Sequence, residues 1–381
     1  MMKQTTVEGL DPATGDLLRL SVRQGRIAAI DRTADRPEEV PFLAPGLIDL
    51  QINGYAGHDV NAEVPTPETV AAITQALATA GVTTWVPTVV TAPEESICAA
   101  IAAVTEAREA DPTVRAAIPF VHVEGPFLSD LPGPRGVHSP DAIRPIDAAE
   151  VERWRAVGPV GYVTVSPHWP DSAREIARIR QGGTAVALGH THADSTMLRA
   201  AVDAGAELST HLGNGIFAEL PRHPNPIWTQ LAEDRLTCGF IADGHHLPAD
   251  TLRAMLRAKG LHRSFLVSDA VELAGSPPGV YETPVGGTVE LDATGRLAFV
   301  GTNLLAGAAA NLADGLRFVV SRVGLSLADA LGLVTTNPGR VLQQCGGERR
   351  GVLQVGQRAD LVLVTRHGAV ETVLRAGRPV D

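Results

Sequence analysis

The chain has 381 residues, of which 44% are hydrophobic and 20% charged, and its formal net charge is -11. That is ample apolar material for a large globular core. The acidic balance, without any Lys/Arg block, argues against nucleic acid as a partner. No apolar run approaches the ~18 residues of a membrane span, and the first residues show no apolar leader, so a cytoplasmic protein with no membrane partner is expected.

The first predicted element is a hairpin over residues 17–30, L-L-R-L-S-V-R-Q-G-R-I-A-A-I, turning at Gln24 and Gly25. From Pro45 onward, short apolar runs alternate with amphipathic stretches. The runs are G-L-I-D-L-Q-I, T-T-W-V-P-T-V, A-I-P-F-V-H-V-E, Y-V-T-V-S-P, A-V-A-L-G-H, L-S-T-H, C-G-F-I-A-D and S-F-L-V-S-D-A. Helices are predicted near Thr66 to Ala80 and Pro93 to Glu109, and others separate most of the later strands. Strict alternation implies parallel pairing through right-handed crossovers. Eight strands predict an α/β protein of the (β/α)8, TIM-like barrel class. An open doubly wound sheet is the competing fold, but it usually carries a Gly-rich nucleotide fingerprint, which is absent from this sequence.

A β insert is predicted over 279–300, and the tail repeats the hairpin idea around His367 and Gly368. Because the barrel lies between the two ends, residues 1–44 and 341–381 are expected to form one small discontinuous β-sandwich domain, with the barrel over 45–340. Cys98, Cys238 and Cys345 are far apart, odd in number and free of C-x-x-C spacing, so they read as packing residues rather than disulfides or thiolate ligands.

In such a barrel the C-terminal strand ends face the active site. They carry Gln51 and Asn53 after the first strand, Glu124 after the third and His168 after the fourth. His190 and His192 follow the fifth, His211 and Asn214 the sixth, Asp243, His245 and His246 the seventh, and Asp269 the eighth. Unpaired buried polar groups cost about 1–3 kcal/mol each, so this concentration points to function rather than stability. Any one of 12 histidines is more often a surface or hydrogen-bonded residue than a ligand. Glu124, His190 and His211 stand out because each sits where an apolar run meets a Gly-containing turn.

One carboxylate and two imidazoles suit a single divalent ion, Zn²⁺ first, with Fe²⁺, Co²⁺ or Mn²⁺ as alternatives. Water in the remaining position would be acidified and serve as a hydrolytic nucleophile. Asp269 is the candidate general acid/base, able to take the water's proton and pass it to a leaving amine; a helix cap is its bland alternative. Arg222 and His223, in L-P-R-H-P-N-P, are the plausible anion contact in an acidic chain.

Over nearly its whole length the chain resembles the N-acetylglucosamine-6-phosphate deacetylase family of the amidohydrolase superfamily. The matching segments are A-P-G-L-I-D-L-Q-I-N-G, H-V-E-G-P-F, G-V-H-S-P, L-G-H-T-H-A, T-H-L-G-N-G, I-A-D-G-H-H, V-S-D-A and the tail G-x-L-x-x-G-x-x-A-D-L. The resemblance implies a barrel with a β-sandwich, a metal on Glu124, His190 and His211, and Asp269 as base then acid. Val137 and His138 would contact the acyl or sugar portion. Asn214, Gly215, Arg222 and His246 would hold hydroxyls or phosphate, and Leu305, Ala306 and Gly307 would close over the sugar. The residue matching Arg222 is associated in the family with a dimer interface, so a homodimer is expected. Many superfamily members carry His-x-His after the first strand; here Gln51 and Asn53 stand there, and amides are poor ligands, so one metal suffices.

The chain departs from the family's pattern in G-I-F-A-E-L-P-R-H-P-N-P-I-W, in L-A-G-A, in the extra His192, and in His168 where a carboxylate is usual. These touch the substrate pocket more than the metal. The expected reaction is hydrolysis of the acetamide of N-acetylglucosamine 6-phosphate, an amino-sugar phosphate. The alternatives are another N-acyl amino sugar or N-acyl amino acid, or a non-catalytic sugar-binding sensor. Asp269 beside a complete ligand set counts against the sensor, which needs no proton shuttle.

Overall fold

Pro45 closes the last strand that the N-terminal part gives to an outer sheet, and two residues later the chain enters the barrel. The computed structural model describes residues 5–35, 37, 39–283 and 287–380; the parts of the expected terminal domain and insert at 1–4, 36, 38, 284–286 and 381 lie outside the described residues. Eight strands follow in order: β1 (Leu47–Ile52), β2 (Val82–Val90), β3 (Val121–Glu124), β4 (Val160–Val165), β5 (Ala185–Leu188), β6 (Leu208–Ser209), β7 (Thr237–Ile241) and β8 (Ser264–Val267). They pair consecutively and in parallel. The ring is closed where Asp269 N donates to Gln51 O at 3.0 Å and Asn53 N donates to Ala270 O at 2.8 Å. All eight expected strands are present.

The strands are near-continuous apolar runs because both faces are covered. Their inner faces supply Ile48, Leu50, Val86, Tyr162, Ala187, Leu208 and Phe265 to one cluster, which Phe120 joins from just before β3, and their outer faces pack on the helices. The helix Pro67–Thr79 shows how local sequence sets an element. Thr66 caps it by accepting from Thr69 N, Pro67 occupies its first turn, and Val70, Ile73 and Leu77 bury one stripe against the sheet.

Both chain ends build one seven-stranded sheet, ordered Arg378–Pro379, Val370–Arg375, Leu361–Val364, Phe42–Pro45, Thr5–Leu10, Leu17–Arg23, Arg26–Thr33. It folds around its own core of Val7, Leu18, Leu20, Ile27, Leu43, Leu361 and Leu374, giving a sandwich-like unit. Gln24 and Gly25 both have positive φ, 53° and 73°, the backbone a two-residue hairpin with right-handed strand twist demands. The expected boundary at 341 falls inside the helix Thr336–Gln344, whose Val341 and Leu342 belong to the barrel-interior cluster. The insert is a three-stranded antiparallel sheet, Gly279–Thr283, Gly287–Leu291 and Leu297–Phe299. No helix among the described residues is long and apolar enough to cross a membrane.

Candidate active site

Glu124 is the last residue of β3, whereas His190, His211 and Asp269 each stand two residues beyond the end of β5, β6 and β8. All three of these have left-handed backbone, with φ of 46°, 24° and 52°. Such conformations cost a non-glycine residue about 1–3 kcal/mol and persist where the surroundings impose them. The left-handed turn redirects each side chain from the barrel wall toward its axis.

There the donors converge. His211 Nε2 lies 3.0 Å from Glu124 Oε1, His190 Nε2 lies 3.4 Å from the same oxygen, and the two imidazole nitrogens are 3.2 Å apart. His190 Nδ1 donates to Pro134 O at 2.9 Å, because a carbonyl can only accept, so Nε2 is the nitrogen left for a metal. Ligands about 2.0–2.1 Å from a tetrahedral ion are separated by roughly 3.3 Å from one another, which is the spacing found here. By separation and by donor chemistry, the three residues fit a divalent metal.

Burial opposes ionisation of Glu124, but the His190 and His211 imidazoles outweigh it and hold the carboxyl well below its usual range. For His211, burial works against the cation, yet the hydrogen bond and charge of Glu124 push its pKa up to about 8. His138 is buried with its Nε2 3.4 Å from His190 Nε2, and burial with the neighbouring His190 pushes it down to about 3. It therefore reaches the triad neutral, within 4.8 Å of both Glu124 and His190.

Asp269 is held from the opposite side. Asn53 Nδ2 donates to its Oδ1 at 2.8 Å, and Gln51 Nε2 lies 3.1 Å from both that oxygen and Glu124 Oε1. Burial first, then the charge of Glu124, raises the Asp269 pKa. Reading Gln51 and Asn53 only as poor ligands missed this work: they are the donors that aim the carboxylate. Beneath them, buried Asp49 accepts from Ser268 N and Gln51 N, and burial pushes its pKa up to about 7. Strand periodicity did not reveal it: the register against β2 shifts between Asp49 and Ile52, so alternation does not predict that Gln51 turns inward after Ile48 and Leu50 have done so.

The remaining expected residues are distributed around this centre. Asn214 Nδ2 donates to His211 O at 3.2 Å, and a Cβ at Gly215 would come 2.7 Å from His190 Nδ1, so that position requires glycine. His246 Nδ1 donates to Asp243 Oδ2 at 2.6 Å, leaving Nε2 as its other polar atom; burial opposes the Asp243 charge, but His246 holds that carboxyl low. Leu305 bridges to Ala298 of the insert, while Gly307 packs on Val271 and Ala308 bridges to Ala270, next to Asp269. Val137 is partly exposed, and Arg222 and His223 lie exposed on the loop after β6; no ion pair joins either to the triad among the described residues. Cys238 is buried and its thiol is pushed up to about 11 by that burial, consistent with packing.

A sequence profile of the amidohydrolase family matches residues 42–380. The chain is 32% identical to an N-acetylgalactosamine-6-phosphate deacetylase of Shewanella sp. (strain ANA-3) over 349 residues, covering 91% of this chain and 85% of that protein. It is 33% identical to the N-acetylglucosamine-6-phosphate deacetylase of Homo sapiens over 376 residues, covering 92% and 88%. A mutant N-acetyl-D-glucosamine-6-phosphate deacetylase of Mycobacterium smegmatis, solved in complex with N-acetyl-D-glucosamine-6-phosphate, superposes with a TM-score of 0.88 at 29% identity and covers 99% of both chains. The chain therefore belongs to the amidohydrolase family, and within it to the group of the N-acetylglucosamine-6-phosphate deacetylases.

Proposed function

We propose that this enzyme hydrolyses the acetamide of N-acetylglucosamine 6-phosphate to glucosamine 6-phosphate and acetate. The observation that carries the reading is the convergence of Glu124, His190 and His211 at ligand spacing, with Asp269 fixed beside them by Gln51 and Asn53. Glu124, His190 and His211 would hold a divalent ion, Zn²⁺ first, which when bound would supply Lewis acidity to the amide carbonyl and to water. Asp269 takes the proton of the attacking water at its carboxylate and returns it to the departing nitrogen. His138, neutral and next to the triad, offers a hydrogen bond to the carbonyl oxygen as charge develops there.

The phosphate is assigned to His246, oriented by Asp243, and to Arg222. Arg222 is exposed on a loop that also exposes Phe217, with Trp228 exposed just beyond it, which supports a homodimer in which the loop meets a second copy. A cytoplasmic location is supported by three free cysteines. Similarity to the Shewanella enzyme favours a second reading, in which the substrate is the galactosamine epimer.

Metal-loaded protein assayed on phosphorylated and unphosphorylated N-acetylglucosamine and N-acetylgalactosamine tests these readings. The expected result is acetate release that depends on metal and prefers the phosphorylated gluco sugar. Equal turnover of unphosphorylated sugars would remove the phosphate assignment, and preference for the galacto epimer would replace the substrate.

A further inference from the structure

Next to the triad lies a second set of donors that the proposed reaction does not use. His168 follows β4, His192 follows β5, and Asp130 lies in the segment after β3, so three adjacent strands deliver two imidazoles and a carboxylate to one place. The two rings are 4.2 Å apart between centroids, and one donor atom from each of the three residues lies within 4.8 Å of the others. His168 Nε2 is 3.8 Å from Asp130 Oδ1, too far for a hydrogen bond. That nitrogen is buried and has no hydrogen-bond partner among the described residues, on a side chain only 9% exposed.

The protonation of His168 follows from its neighbours. Ser166 Oγ donates its single proton to Thr191 Oγ1 at 2.7 Å, so toward His168 Nδ1, also 2.7 Å away, it can only accept. Nδ1 therefore carries the proton and Nε2 is a bare lone pair facing a carboxylate. A buried lone pair without a donor, beside a carboxylate whose other side is open to solvent, suits a bound cation. His192 Nδ1 lies 2.6 Å from Ser129 Oγ, a contact that fixes the ring and leaves Nε2 as its other polar atom. Each ring thus has one nitrogen fixed by a hydroxyl, an outer contact that orients the imidazole as ligating histidines are oriented.

We propose that Asp130, His168 and His192 form a second divalent-metal site, distinct from the triad and selective for a transition ion such as Zn²⁺ or Ni²⁺. Two imidazoles with one carboxylate suit these ions better than Mg²⁺ or Ca²⁺, which favour oxygen sets. An anion is disfavoured there by the Asp130 carboxylate. The site has a structural consequence for the first one. The segment that begins at Ser129 and Asp130 goes on to supply Pro134, which orients His190, and His138; Ser129 N also donates to His190 O at 2.9 Å. An ion on Asp130 would pin that segment to β4 and β5.

The test is metal stoichiometry on the full chain, stripped with chelator and titrated calorimetrically with Zn²⁺ to about tenfold excess over protein. Wild type is expected to take two equivalents, and a Glu124→Gln/His211→Gln protein one. His168→Gln/His192→Gln should also take one, which by itself shows that its triad remains folded. If that double variant does not fold, Asp130→Asn replaces it, with an expected loss of at least about tenfold in affinity for the second equivalent alone. A wild type that binds a single equivalent overturns the proposal. So does a second equivalent that survives, with unchanged affinity, in the His168→Gln/His192→Gln or Asp130→Asn protein.

Discussion

Two layers of the barrel interior hold buried histidines, and they do opposite things. In the rim layer His190 and His211 turn unsaturated nitrogens toward one carboxylate oxygen. One layer down, His122 is equally buried, but Thr88 Oγ1 sits 3.2 Å from its Nδ1 and Thr164 Oγ1 2.7 Å from its Nε2, and the ring stacks on Tyr162 at 4.0 Å. Burial pushes His122 down to about 3, so it is a neutral packing residue. Burial does not distinguish the two kinds of histidine. Saturation of the ring nitrogens does, and it is set by whether hydroxyls or a carboxylate line the neighbouring strands.

Substitutions that cross this divide should show it. The largest effect is expected for Glu124→Gln, which removes the charge that gathers the imidazoles: metal content should fall and turnover drop by roughly 10³-fold or more. Inductively coupled plasma analysis alongside an acetate-release assay reads both, and full activity in the variant would break the distinction. Next comes Asp269→Asn, which should retain its metal while losing about 10²-fold or more in kcat. Retained turnover would show that another group moves the proton.

Between the layers, Asp49 gives a pH signature. Its folded pKa of about 7 lies above the unfolded value, so its contribution to stability is present in full below about pH 4 and is lost as pH rises through 7, by at most about 4 kcal/mol. In chelated protein, the melting temperature of Asp49→Asn should therefore gain on wild type as pH is raised across that window. A constant difference would place the titration elsewhere. The smallest effect is expected for His122→Asn: about 1–3 kcal/mol of stability lost in denaturant titration, with metal content unchanged. Loss of metal instead would mean that the lower layer belongs to the site.

Much of this was legible from the chain because strand ends in a barrel are marked by apolar runs stopping at a polar residue and a turn. V-H-V-E-G-P-F gave both β3 and Glu124, and G-L-I-D-L-Q-I-N gave β1. That His122 is no ligand also follows from its position, two residues back from the strand end that carries Glu124. What was hidden acts across sequence distance or through the backbone. Pro134 holds His190 by its carbonyl, a group every residue has, and the Ser166 to Thr191 link that sets the His168 proton joins hydroxyls 25 residues apart. Gln51 and Asn53 were visible but misassigned in purpose, since an amide that cannot ligate can still donate.

The left-handed backbone at His190, His211 and Asp269 ties durability to chemistry. A glycine at any of these positions relieves the conformational cost and removes the reacting group in the same step. Evolution of this chain under heat alone would drift toward a tougher, inert barrel, and only a screen that scores deacetylation in the same round would keep these three side chains in place.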